Sequence, residues 1–308
     1  MAGKGGSLGK NLLSTFGILT MFQSALICTD FTDGLYRLVR FVPQLAESGL
    51  KKLVFLHVVP LGEGAVPRPD EEGIKVARDR LSAALENVPA GVEVKVEVKS
   101  GTPSVQIAEV LRSQKVDLVI LGTPGRSLLS EKLFGSTMMN VCQRLTVPLM
   151  ILRPNLISTY TNAELALRCQ GLFRYLLVPY DDSEAARYTL ERIKTQAQAG
   201  HPLEQCLLCR VVDEVSRNAQ LRQYAEENAR KVLAQRKQEL EQVGISVRTE
   251  VRTGNPITEL LELAVDVDIS AIASASRNVG KLIELSVPSI TGELLRKSWH
   301  PVIYFPIR

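Results

Sequence analysis

The sequence predicts an α/β fold built twice, as two tandem five-stranded parallel sheets, each doubly wound with helices on both faces. Three observations carry this reading. Short apolar runs alternate with stretches of helical periodicity, which is the pattern of strand–helix–strand units in a parallel sheet. The same order of signals appears in both halves of the chain. Landmarks also recur at a nearly constant offset: Asp30 to Asp181 is 151, Gly101 to Gly254 is 153, Val116 to Val267 is 151 and Pro148 to Pro301 is 153. Periods of about 20–50 residues mark solenoids and propellers. This one is far longer, so it marks duplication of a whole domain.

In the first half, Ala25 to Asp30 is a short apolar run that ends in a carboxylate, read as strand one. Leu35, Leu38, Val39 and Val42 share one helical face, and Pro43 is expected to kink or end that helix. Lys52 to Val59 is a buried second strand, followed by an amphipathic helix carrying Ile74, Ala77, Leu81 and Leu85. Val92 to Val98 alternates as strand three. Gly101-Thr102-Pro103 then places Thr102 to cap the next helix and Pro103 at its first position. Val116 to Leu121 and Val147 to Leu152 read as strands four and five. The second half repeats this with strands at Tyr175 to Asp181, Cys206 to Val212, Val247 to Val251, Val267 to Ala273 and Val302 to Phe305. Ser183 can cap its first helix, residues 217–243 form a long charged helix, and Gly254-Asn255-Pro256 restates the Gly-x-Pro turn.

A length of 308 residues accommodates two domains of ordinary size. The expected boundaries are an extension over 1–21, a first domain over 22–154, a linker over 155–173 and a second domain over 174–308. Hydrophobic residues make up 45% and charged residues 23%, as in a soluble globular protein. The net charge is only +4, and no Lys/Arg stripe is interleaved with aromatics, so nucleic acid is not an expected partner. No apolar run is long enough to span a bilayer uninterrupted. Lys4 and Lys10 precede an apolar stretch from Leu12 to Met21 that loosely resembles a signal peptide. It runs straight into strand one with no convincing cleavage site, so it reads as an extension. The cysteines number five, at 28, 142, 169, 206 and 209; an odd, scattered set argues against a disulfide framework and for a reducing, cytoplasmic setting. Cys206 and Cys209 have redox-motif spacing but lie on a strand, where residues three apart point to opposite faces.

In an open parallel sheet, ligands bind beyond the carboxyl ends of the strands. There, after strand four, comes Gly122-Thr-Pro-Gly125, then nine residues, then Gly135-Ser136-Thr137. Glycines permit close backbone approach. A helix opening at Gly135-Ser136-Thr137 would offer unpaired N–H groups and hydroxyls suited to phosphate. The same residues also fit a flexible loop capped by Ser136. His57 has no partner at catalytic spacing, and the histidines at 57, 201 and 300 form no metal-ligand cluster.

Gly-x-x-Gly, nine residues, then Gly-Ser is similar to the ATP-binding signature of the universal stress protein family. The features around it resemble that family too: Asp30-Phe31-Thr32, Leu56-His57-Val58, Gly101-x-Pro103 and Val147-Pro148. The resemblance covers roughly residues 22–154 and again 174–308. It implies a Rossmann-like, adenine nucleotide alpha-hydrolase-like fold, with the two halves packed as a pseudo-dimer along their last strands. It implies that Asp30 contacts the nucleoside sugar, that the backbone at Val58 reads adenine, and that Gly122, Gly125, Gly135, Ser136 and Thr137 hold the phosphates of ATP, with or without Mg2+. Two plainer readings stay open: Asp30 as a helix cap and Val58 as core. Arg126 and Lys132 lie in the loop, either beside phosphate or as solvated charges.

The second copy departs from this signature. Aligned on the fourth strands, Ala273 stands for Gly122 and Ser276 for Gly125. Counted back from Pro301, Pro288-Ser289 stands for Gly135-Ser136, across a loop of 11 residues instead of nine. Pro288 lacks an N–H and Ala273 adds a Cβ, so only the first half is expected to hold ATP. The function expected is that of a nucleotide-dependent regulatory or stress-response module, with an unknown protein partner and a homodimer as further expectations. Two alternatives are a slow ATP-hydrolysing enzyme and a structural interaction module with an empty site. No P-loop is present: the Gly3 to Asn11 run lacks the spacing and the magnesium-binding hydroxyl. No residue stands out as a base for water.

Overall fold

The computed structural model describes residues 21–32, 34–62, 67–122, 147–198, 203–213, 219–277 and 289–307. They form a single sheet of ten strands in the order β3-β2-β1-β4-β5-β10-β9-β6-β7-β8. In the first half the strands are β1 (Ser24–Cys28), β2 (Lys52–Val59), β3 (Glu93–Ser100), β4 (Leu118–Gly122) and β5 (Leu149–Leu152). In the second they are β6 (Tyr175–Pro179), β7 (Gln205–Val212), β8 (Ser246–Thr253), β9 (Ala271–Ser276) and β10 (Val302–Pro306). Every pairing within a half is parallel. The halves meet where β5 and β10 run antiparallel, with Met150 opposite Ile303. This is the pseudo-dimer expected from the last strands. It also leaves neither of those strands as an open edge.

Among the described residues the helices of the first half are α1 (Val42–Glu47), α2 (Glu71–Leu81) and α3 (Pro103–Gln114). Two short helices, α4 (Pro154–Thr159) and α5 (Asn162–Gln170), connect β5 to β6. The second half adds α6 (Glu184–Gln198), α7 (Ala219–Glu241), α8 (Pro256–Asp266) and α9 (Ile290–Lys297). On one face a single apolar core runs through both halves, joining Phe55 and Leu118 to Met150, Ile303, Phe305 and Leu208. The opposite face carries two clusters, one under α3 and one under α8. The outer strands β3 and β8 are studded with charge, as in the Lys95–Glu93 (2.8 Å) and Arg252–Glu250 (3.5 Å) pairs. Such edges resist pairing with other chains. Among the described residues no helix is long and apolar enough to cross a membrane.

Cys206 is buried in the core shared by both halves, and Cys209 in the cluster on the opposite face. Burial pushes both thiols up to about 12. They are packing residues that do not meet, as the strand periodicity required.

Four expectations need correction. Pro43 does not end the first helix. A 3-10 turn (Leu35–Arg40) comes first, and α1 then begins at Val42 with the proline in its first turn, where a missing N–H costs nothing. Leu35, Leu38, Val39 and Val42 are nevertheless all buried. Leu85 is 51% exposed, because α2 tightens into a 3-10 turn (Ser82–Leu85) that turns Ala84 inward instead. Thr102 is the N-cap of α3 by position but makes no side-chain cap bond. Its counterpart Asn255 does, accepting from the amides of Ile257 and Thr258.

Strand β9 begins at Ala271, because α8 continues through the apolar Val265 and the chain turns at Asp268 with φ 50°, as it does at Lys115 with φ 52°. The sheet pairs Gly122 with Leu152 and Ala275 with Phe305. Hence Ala275, not Ala273, stands where Gly122 stands, at an offset of 153 that also relates β2 to β7 and β5 to β10. Only β1 and β6 keep an offset of 151. The two extra residues lie between β6 and β7, where one continuous helix replaces the 3-10 turn plus α1. At the structural offset, Gly125 corresponds to Asn278 and Gly135-Ser136 to Pro288-Ser289, so nine residues intervene in both halves. The two loops match in length and differ in residue type.

Candidate functional site

The carboxyl ends of β2, β1 and β4 lie side by side. They bring Val58, Asp30 and Gly122 to one edge of the sheet. Gly125, Gly135, Ser136 and Thr137 lie outside the described residues, as do Arg126 and Lys132.

The chain leaves β1 through a tightly bonded bend. The Thr29 amide donates to the Leu56 carbonyl at 3.0 Å, extending the ladder by one residue. The Thr29 hydroxyl accepts from the Phe31 amide at 3.0 Å. Asp30 Oδ1 accepts from both the amide and the hydroxyl of Thr32, each at 2.8 Å. This Asx turn holds the carboxylate on the exposed side of the bend. Phe31 takes φ 67°, a left-handed conformation that costs a bulky side chain on the order of 1–3 kcal/mol. Its ring is held on both sides: it stacks on His57 with centroids 4.2 Å apart, and the Arg80 guanidinium sits 4.0 Å from its centroid. Tyr36 meets the same ring edge-on at 6.3 Å.

His57 Nδ1 bonds the Thr29 carbonyl at 2.8 Å, pinning β2 to the end of β1. The imidazole supports Phe31, which accounts for its place in the strand. Burial holds its pKa below 6.5, and Arg80 lowers it further, while the Thr29 carbonyl and Asp30 act the other way. His300 is also held below 6.5, by burial and by Arg168, against the pull of Asp268. In both cases the unfolded chain takes up the proton first. Stability present above the unfolded pKa therefore declines as the pH falls through it. The urea midpoint should drop between about pH 7 and pH 5.5, and the His57→Gln, His300→Gln double variant should show a smaller drop. An unchanged drop in the variant would rule out these two groups as its source.

Val58 is half-buried. Its side chain packs on the core under α3 while its backbone runs in register with Lys99. Gly122 is the last residue of β4. Arg80 had no signal in the sequence: it sits on the polar face of α2, and only the bend at Phe31 brings the aromatic ring beneath it.

The second half repeats the geometry. Asp181 Oδ1 accepts from the Ser183 amide at 3.0 Å, the same turn as at Asp30. Asp182 has φ 61°, matching Phe31. A cavity of about 300 Å³ opens here, lined by Asp181, Val211, Ala275 and Ser289, the counterparts of Asp30, Val58, Gly122 and Ser136. Several of its polar groups are already committed. Ser289 Oγ caps α9 by accepting from the Gly292 amide at 3.1 Å. The Thr291 hydroxyl donates to the Ala275 carbonyl at 2.9 Å and lies 2.8 Å from that of Ser274. Beside the cavity Arg277 forms a two-pronged pair with Glu184, Nε to Oε2 at 2.7 Å. Among the described residues no group of three or more His, Cys, Asp or Glu could hold a metal.

The model of the family described as the universal stress protein family matches the chain twice, over residues 21–153 and 173–306. A universal stress protein of Methanocaldococcus jannaschii is 25% identical over 155 residues, 43% of this chain and 96% of its own length. The crystal structure of a universal stress protein from Archaeoglobus fulgidus covers 92% of this chain and 98% of its own, at 21% identity and a TM-score of 0.59. A universal stress protein solved in complex with cAMP covers 44% of this chain and 99% of its own, at 22% identity and a TM-score of 0.32.

Proposed function

The chain belongs to the universal stress protein family, and from that premise we propose that its first half binds ATP while its second half does not. The observation that carries this is the register of the sheet. At equal loop length, Gly122, Gly125 and Gly135 of the first half correspond to Ala275, Asn278 and Pro288 of the second. A phosphate cradle needs backbone N–H groups that the ligand can approach closely. Pro288 removes one such donor and Ala275 adds a Cβ at the end of β9. Ser289 is already spent as a helix cap. Asp30 would accept from the ribose hydroxyls, the backbone at Val58 would meet adenine, and Gly122, Gly125, Gly135, Ser136 and Thr137 would hold the phosphates. Mg2+, if it enters, would arrive on the phosphates, since this ion is commonly held by substrate phosphates with one or two carboxylates.

On this reading the protein is a cytoplasmic, nucleotide-dependent module of the stress response, with domains over 22–154 and 174–308. Its ATP-bound state would be read by a protein partner or a second copy of the chain. A ligand shifts a conformational equilibrium only through unequal affinity for the two states. Slow ATP hydrolysis is the alternative. The test is to incubate the protein with ATP and Mg2+ and separate the nucleotides by chromatography, beside a Gly135→Pro variant. Unchanged ATP, with a rise in melting temperature that the variant lacks, supports the binding module. ADP accumulating with the protein and not with the variant supports the enzyme. No response to ATP in either would refute both.

A further inference from the structure

A cavity of about 670 Å³ opens beside the end of β5, where Leu152 and Arg153 line it. It lies against the seam of the two halves, between the 3-10 turn, α1 and α5 on one side and the chain leading into β9 and β10 on the other. Its interior is apolar, with Leu38, Leu45, Ile120, Leu165 and Cys169 all buried. At its lip stand two side chains that a monomeric surface would normally shelter: Leu167, 69% exposed, and Trp299, 56% exposed.

Charged groups ring the lip. Arg153, Arg168 and Arg174 line the cavity with two acids, Glu164 and Asp268, and Glu204 stands beside Arg174. Arg153 is spent on the carbonyls of Leu295, Arg296 and Ser298 at the end of α9. Glu164 is spent on the Thr161 capping box. Arg168 and Arg174 are held by long ion pairs, Arg168 by Asp268 at 3.7 Å and Arg174 by Glu204 at 4.0 Å, and the Arg168 guanidinium lies 5.8 Å from the centroid of the Tyr160 ring. All four side chains of these two pairs are at least half exposed, and ion pairs so long and so exposed are weak. Two guanidinium groups therefore stand over an apolar chamber of the size that small-molecule sites occupy, and guanidinium matches a carboxylate with paired N–H donors.

We propose that this groove binds an amphipathic carboxylate, with its hydrocarbon chain along Leu167 and Trp299 over the apolar floor and its acid at Arg168 and Arg174. The site is independent of the nucleotide reading and makes use of residues that reading leaves idle. Trp299 is the chain's one tryptophan, so its emission reports this groove and no other. The full-length protein is titrated with decanoate and with decanol, below the concentrations at which either aggregates, following Trp299 fluorescence and, in parallel, heat. Decanoate is expected to saturate the signal at least tenfold more tightly than decanol. Lengthening the acid should tighten binding by up to about fourfold per methylene while the chain still fits. The Arg168→Ala, Arg174→Ala double variant is expected to bind both probes alike. Leu167→Asp, at an exposed position that tolerates change, is expected to weaken decanoate more than decanol. Equal binding of the two probes by the wild type, or discrimination that survives both variants, would overturn the proposal. So would decanoate binding only after removal of residues 1–20, which would assign the groove to that segment. Trp299 emission that follows protein concentration instead of ligand would assign it to a second copy, with the same consequence.

Discussion

Tyr304→Ala should destabilise the protein by about 3–5 kcal/mol, the range for removing a large aromatic from a close-packed interior. Tyr304 is fully buried on β10, the strand that joins the halves, opposite Leu149 of the first half and beside Ser274 of the second. Its hydroxyl donates to the Ser276 carbonyl at 2.8 Å. The ring fills the cluster under α3, in contact with the first half's core, although it belongs to the second half. Tyr304→Phe keeps the ring and loses only that bond, and should cost about 1 kcal/mol. Urea unfolding followed by circular dichroism measures both. Because the core on the other face is continuous across the seam, the wild type should unfold in one transition seen alike by circular dichroism and by Trp299. A loss below 1 kcal/mol for Tyr304→Ala, or two separated transitions in the wild type, would show that the seam does not form as described.

Asp30→Ala should weaken ATP about 10- to 100-fold. Hydrogen bonds to a charged group are worth roughly 1.5–3 kcal/mol, and each 1.4 kcal/mol is tenfold in affinity. Part of the loss would be indirect, since Asp30 Oδ1 also fixes the turn through Thr32. Asp30→Asn separates the two effects: it retains an acceptor for the turn and removes the charge, so its loss should be smaller. Asp181→Ala makes the same cut in the second half and should leave ATP affinity unchanged. Calorimetric titration reads all three. Equal losses from Asp30→Ala and Asp181→Ala would place nucleotide in both halves.

Most of the fold could be read in the sequence because duplication states every signal twice. Gly101 and Gly254 show why. Both take left-handed φ, 125° and 146°, and both donate from their amides to the end of the neighbouring strand, at Val59 and Val212. A Cβ at Gly254 would lie 2.8 Å from Glu259 Oε1. The turn requires glycine, so the Gly-x-Pro signal persisted in both copies. The faces of Cys206 and Cys209 were legible for a similar reason, since strand alternation is strict.

The register of the second copy was not legible. Val265 and Val267 carry the apolar, β-branched character of a strand, yet α8 runs through the first of them because Leu260, Leu263 and Ala264 pack its buried face. Tertiary packing outweighed local propensity there. The cost was a two-residue error in alignment, which made the second loop look longer than the first. Asp30 and Val58 could be found as strand ends, but the stack of His57, Phe31 and Arg80 could not. It depends on a left-handed aromatic residue, a conformation that side-chain pattern does not encode.

The central claim is that one chain carries one working nucleotide site, in its first half. The most direct measurement is the adenine nucleotide released on denaturing the purified protein, counted per chain for the wild type, Asp30→Ala and Asp181→Ala. The account predicts about one nucleotide per chain in the wild type and in Asp181→Ala, and little in Asp30→Ala. Two per chain, or a loss in Asp181→Ala equal to that in Asp30→Ala, would contradict it.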